Sequence, residues 1–194
     1  QNNLSSDIGI EILNKGGNAV DAAVAVGFSL AITLPRAGNL GGGGFMLVYL
    51  KEKDEIFYID YRSKSPLNST IDSIFDLKGK TIKPKDFTND MFDKTRYGYK
   101  APAIPGTVAG LLEAHENFGK LPLEEVLAPA IRQAKNGIRV SYDLEKAIDD
   151  THQLKKDPES LKIYFQNGTA IKENSLFKRP DLEKTFQLIA TSGK

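Results

Sequence analysis

The sequence predicts a mixed fold, α/β or α+β, and three observations carry that prediction. A nearly all-apolar helical segment, "AVDAAVAVGFSLAI" (residues 19–32), precedes a glycine-rich loop. Beyond the loop, two β-rich runs, residues 45–50 and 55–62, flank the charged "KEKD" and read as a hairpin. From residue 105 onward, four further segments carry helix start and stop signals.

The elements follow in chain order. Ser5 and Ser6 offer caps for a short helix over residues 7–14, with Ile8 and Ile12 on one face. Gly16 and Gly17 end it. Asn18 caps the apolar helix, and Asp21 stands at capping-box spacing from it. A helix apolar nearly all round must be covered on most sides. Pro35 stops it, and the loop 35–44 leads into the hairpin. Residues 63–100, punctuated by Gly79 and Pro84, predict loops and short turns. Residues 105–119 predict a helix, and residues 121–137 a second that Pro129 kinks or shifts. Ser141 caps a third over residues 142–154, Asp157-Pro158 breaks the chain, and residues 179–193 form a fourth. Leu182, Phe186 and Ile189 line one face of that last helix. No internal repeat or low-complexity segment is present.

Composition narrows the function classes. The 194 residues suit one domain of typical size or a large piece of a bigger one. With 26 Lys and Arg against 25 Asp and Glu, and no charged tail, nucleic acid is not indicated as a main partner. The absence of cysteine excludes disulfides, thiolate metal sites and a cysteine nucleophile. His115 and His152 are far apart, read as solvated residues on predicted helices, and offer no His-rich metal site. The longest apolar run, residues 19–34, falls short of the roughly 20 residues a membrane span needs. The abrupt start "QNNLSSDIGI" shows no signal peptide, and any leader is expected to have been removed.

Two motifs invite chemistry. In "PRAGNLGGGGFMLVY" four consecutive glycines, Gly41 to Gly44, run straight into a strand. A phosphate loop places its glycines between a strand and a helix, and here the order is helix, glycines, strand. The alternative is a sharp reversal with two backbones packed close, which only glycine permits. Arg62 ends the second β run in "IDYRSKSP". Its planar fork matches a carboxylate, although a surface pairing with Asp60 fits the spacing as well. "NGT" at residues 167–169 matches a glycosylation sequon and reads more simply as a polar turn. No Ser/His/Asp arrangement suggests itself. Read alone, these residues define a mixed globular piece without an assigned reaction.

The order of motifs adds more. "GIEILNKGGNAVDAAVAV", "GGGGFMLVY", "IDYR" and "PAIPGTVAGLLEAHENFGKLPLEEVLAPAIRQAKNG" follow one another at separations that resemble the large subunit of the γ-glutamyltransferase family. The resemblance is dense over about residues 8–145. It implies an α+β fold, the αββα sandwich of the N-terminal-nucleophile hydrolases, with residues 1–194 as an N-terminal portion of one such domain. It implies a precursor that cuts itself into two subunits, with the new N-terminal threonine of the small subunit as nucleophile. That threonine takes the γ-glutamyl group from glutathione, glutamine or a related amide and releases it to water or an amino acid. Its own amine can serve as base, so no histidine is needed.

The resemblance further implies no cofactor and no metal. The expected partners are a small γ-glutamyl substrate and the remainder of the precursor, with no nucleic acid and no membrane span. The expected location is the periplasm or the exterior of a bacterium. The nucleophile, the oxyanion hole and the groups holding the substrate amine are expected outside this chain, so the segment alone is expected to be inactive. Arg62 matches the family arginine that holds the substrate α-carboxylate, with Asp60 and Tyr61 before it and Pro66 after it. The glycine quartet is expected to serve close packing near the cleft. One departure is Ser63, where the family commonly has glutamate. It leaves open a relative acting on another amide, such as an acylase or a poly-γ-glutamate enzyme, and a truncated non-catalytic remnant is the alternative from another class.

Overall fold

The computed structural model describes residues 2–75, 78 and 83–193, and Gly79 lies outside them. Helix α1 (Asn3–Asn14) starts four residues earlier than expected, because Asn2 rather than Ser5 or Ser6 caps it. The Asn2 side chain accepts the Leu4 N–H at 3.1 Å. Ser5 is instead buried against α2 (Ala19–Thr33), where its hydroxyl lies 2.8 Å from that of Ser29 and 2.7 Å from that of Thr33. Asn18 and Asp21 form the anticipated capping box at the head of α2. The helix is buried along most of its length, as its all-round apolar character required.

β1 (Phe45–Leu50) and β2 (Glu55–Asp60) pair antiparallel, Phe45 opposite Asp60 and Leu50 opposite Glu55. One face of this hairpin carries Val48 and Phe57, and Phe57 packs on Phe118 with ring centroids 5.0 Å apart. The polar stretch that follows is not all loop. It includes α3 (Ile71–Phe75) and α4 (Asn89–Arg96), whose cap is Thr88. The hydrophobic spacing there is weak, so capping and charge pairs rather than a core stripe define α4, and it buries no residue.

Helices α5 (Thr107–Phe118) and α6 (Leu123–Asn136) match their signals, and α6 continues through Pro129. α2 is the hub of the core, with α1, α5 and α6 packed around it. β3 (Ile138–Arg139) follows α6 directly. The expected third long helix is shorter: α7 covers Tyr142–Asp149, and a separate 3-10 turn, His152–Lys156, holds exposed His152. Asp157-Pro158 begins an element rather than ending one. Asp157 accepts the Ser160 N–H at 2.7 Å, and Pro158 opens α8 (Pro158–Tyr164). β4 (Phe165–Gln166) and β5 (Thr169–Ala170) are joined at Asn167 and Gly168, both at positive φ, so the sequon is a tight two-residue hairpin. β6 (Leu176–Phe177) pairs with β3, and α9 (Pro180–Ser192) sends Phe186 into the core, edge-on to Phe28 at 5.6 Å.

Candidate functional site

β2 formally ends at Asp60, but its alternation does not. Phe57, Ile59, Tyr61 and Ser63 are half-buried, whereas Tyr58, Asp60, Arg62 and Lys64 are exposed. The strand is prolonged by backbone pairing. Tyr61 exchanges hydrogen bonds with Gly44, at 3.1 and 3.3 Å, and Lys64 exchanges them with Ile104, at 3.1 and 2.8 Å. The Gly42 carbonyl in turn accepts the N–H groups of Gly106 and Thr107, at 2.8 and 3.1 Å. Residues 61–64 therefore lie between the glycine loop on one side and the entry to α5 on the other.

This crowding explains Gly43 and Gly44 of the glycine quartet. None of its members has positive φ, so backbone freedom is not their common reason. A β-carbon on Gly43 would overlap the backbone of Tyr61, Arg62 and Ser63, and one on Gly106 would overlap the Tyr61 carbonyl. Gly44 and Gly110 leave room for the Tyr61 ring in the same way. Burial of that ring pushes the Tyr61 phenol above its ordinary range. The result is a cradle that fixes the residues on either side of Arg62 to the scaffold.

Arg62 itself is exposed and faces an open cleft of about 420 Å³. Asp60, Arg62, Lys64, Gly106, Gly110 and Glu113 are among the residues that border it. The surface pairing with Asp60 does not form: Asp60 Oδ1 accepts the Arg62 backbone N–H at 2.9 Å, and among the described residues no ion pair joins the two side chains. A guanidinium presented this way can receive a carboxylate bidentately. Ser63, on the other face of the strand, is not part of the cleft wall. Sequence reading singled out Arg62; Tyr61 and Lys64 carried a signal in the alternation continuing past the strand, whereas Gly106 and Gly110, remote in sequence, carried none.

His115 is not solvated as expected. It is largely buried on α5, and its Nε2 lies 2.8 Å from the Leu121 carbonyl and 3.8 Å from the Asp21 carboxylate. Since a carbonyl only accepts, Nε2 carries the proton. His115 thus braces the loop between α5 and α6, away from the cleft. Among the described residues no group of His, Asp or Glu is arranged to hold a metal ion, and no helix is long and apolar enough to cross a membrane.

The glycine cradle, the strand-end arginine and the helices behind them fall within one recognisable pattern. The family model for gamma-glutamyltranspeptidase matches residues 5–194. The chain belongs to the γ-glutamyltranspeptidase family. It is 40% identical over 186 residues to a glutathione hydrolase proenzyme of Pseudomonas aeruginosa, covering 96% of this chain and 31% of that protein. The crystal structure of Helicobacter pylori gamma-glutamyltranspeptidase superposes with a TM-score of 0.87 at 37% identity, covering 98% of this chain and 52% of that one. A cephalosporin acylase from Bacillus halodurans superposes with a TM-score of 0.81 at 26% identity, over 97% of this chain and 34% of that one. The chain therefore spans about a third of the curated relative and about half of the γ-glutamyltranspeptidase structure. Its fold is α+β, of the N-terminal-nucleophile hydrolase type that the resemblance implied.

Proposed function

We propose that the whole protein to which this chain belongs cleaves the γ-glutamyl amide of glutathione and related compounds, passing the glutamyl group to water or an amino acid. The observation that carries this reading is Arg62, exposed over an open cleft while its neighbours are locked into the glycine cradle. Arg62 binds the substrate α-carboxylate through its guanidinium fork. The reacting threonine is supplied from outside this chain, so residues 1–194 act as a substrate-holding part of one αββα domain. Its hydroxyl attacks the γ-carbonyl, its amine takes the hydroxyl proton, and that proton passes to the departing amine. Water or an amino acid then attacks the resulting ester and restores the threonine. The Pseudomonas relative's name, a proenzyme, supports maturation by cleavage. The protein acts in the periplasm or outside a bacterial cell, which cell fractionation checks directly.

The test is kinetic. Arg62→Ala in mature full-length enzyme leaves folding and self-cleavage intact and raises KM for γ-glutamyl compounds, by about 1.5–3 kcal/mol for one lost charge-assisted contact. Arg62→Lys recovers part of the loss, because a point charge lacks the fork. A donor lacking the α-carboxylate responds equally in wild type and mutant. If Arg62→Ala weakens both donors alike, Arg62 does not bind that carboxylate.

A second reading stays within the fold. The likeness to the cephalosporin acylase supports a relative that acts on another amide. Turnover of an acyl amide without turnover of a γ-glutamyl anilide would select it.

A further inference from the structure

We propose that Lys64 is a second carboxylate-binding residue of the cleft, selecting γ-glutamyl donors that carry a further carboxylate on the residue just past the scissile amide. The inference rests on the reading of Arg62 given above. Three observations support it. Arg62 and Lys64 occupy alternate positions of one extended segment and are exposed on the same face. Both border the cleft. The Lys64 backbone is fixed in both directions by Ile104, so the side chain leaves a defined point rather than a loose loop.

The spacing is chemically specific. Alternate residues of a strand stand about 6.6 Å apart. In a γ-linked dipeptide, the bonds joining the two carboxylate-bearing carbons span about 6 Å when extended. A donor lying along the strand with its α-carboxylate on Arg62 brings the next carboxylate to Lys64. Of the two acids that border the cleft among the described residues, Asp60 accepts the Arg62 N–H and Glu113 is engaged in an interaction of its own. Asp60 lies on the far side of Arg62 from Lys64 along the strand, so Arg62 stands between that acid and the second carboxylate. A donor whose leaving group is a neutral aniline has nothing to offer Lys64. The residue therefore discriminates between leaving groups and does not affect recognition of the glutamyl unit.

The experiment uses mature full-length enzyme with γ-glutamyl-glutamate and a γ-glutamyl anilide as parallel donors. Lys64→Gln should raise KM for γ-glutamyl-glutamate by about two- to fivefold, the range of an exposed ion pair, with kcat unchanged. The anilide KM should stay within the error of wild type. Lys64→Arg should restore the dipeptide KM, and added salt should narrow the gap between the two donors in wild type but not in Lys64→Gln. An equal change for both donors, or no change for the dipeptide, overturns the proposal while leaving the Arg62 reading standing. If wild type turns over neither donor, the parent reading falls and this one falls with it.

Discussion

Gly42 and Gly43 are chain neighbours with different constraints. A β-carbon on Gly42 meets only ordinary contacts, the nearest being Asn39 Oδ1 at 3.6 Å. On Gly43 it meets the rigid backbone of the segment carrying Arg62, which cannot yield without moving the strand. Gly42→Ala should leave stability within about 0.5 kcal/mol of wild type. Gly43→Ala should cost about 1–3 kcal/mol or more, as overpacking does. Thermal melts of the two full-length variants, with soluble yield, make the comparison. Equal behaviour would mean that residues 61–63 are not held by close approach. The same logic makes Gly110→Ala a disturbance of the Tyr61 ring rather than of α5.

The elements are tied together by a few buried polar groups. Asp21 is fully buried, yet its two oxygens accept the N–H groups of Asn18, Lys120 and Leu121 at 2.9–3.3 Å. One carboxylate thus caps α2 and holds the loop between α5 and α6. Asp21→Asn keeps the shape but turns an NH2 toward backbone donors, which should cost about 1–3 kcal/mol, read as a lower denaturant midpoint at unchanged slope. Near the start of α9, Arg179 hydrogen-bonds Asp181 twice, at 2.6 and 3.0 Å, and this contact holds the Asp181 carboxyl below its ordinary range. A depressed folded value means the stabilisation is present above the unfolded pKa of about 4 and is lost as pH falls through the folded value. Asp181→Asn should therefore lower stability near neutral pH and flatten the acid limb below about pH 4. A half-exposed carboxylate limits the effect to about 1 kcal/mol or less.

Much at this scale was legible in the sequence. Ile8 and Ile12, the capping box, the hairpin and the boundaries of α5, α6 and α9 follow from periodicity and end signals. The start of α1 was not, because Asn2, Ser5 and Ser6 are all competent caps and only burial of Ser5 against α2 separates them. Arg62 was legible as a strand-end cation. Its cradle was not, since Gly106 and Gly110 lie far along the chain and meet Tyr61 only after α5 has packed.

At the scale of the whole molecule, one face of the hairpin is out of character for a protein surface. Phe45, Leu47, Tyr49, Ile56 and Tyr58 are all exposed, Leu47 at 71% and Ile56 at 72%. The register places Leu47 opposite Tyr58 and Tyr49 opposite Ile56, so these side chains form one continuous apolar surface. Among the described residues, β1 and β2 pair only with each other, which leaves both outer strand edges open. Open edges beside an apolar face invite pairing with another chain. The isolated 194-residue chain should therefore self-associate, and sedimentation velocity should show species larger than 21.3 kDa that grow with concentration. Replacing Leu47 and Ile56 together by lysine should restore the monomer. It should barely change the melting temperature, because neither side chain contributes to the core on the opposite face. A wild-type chain that remains a cooperative monomer at every concentration would show that this face needs no cover.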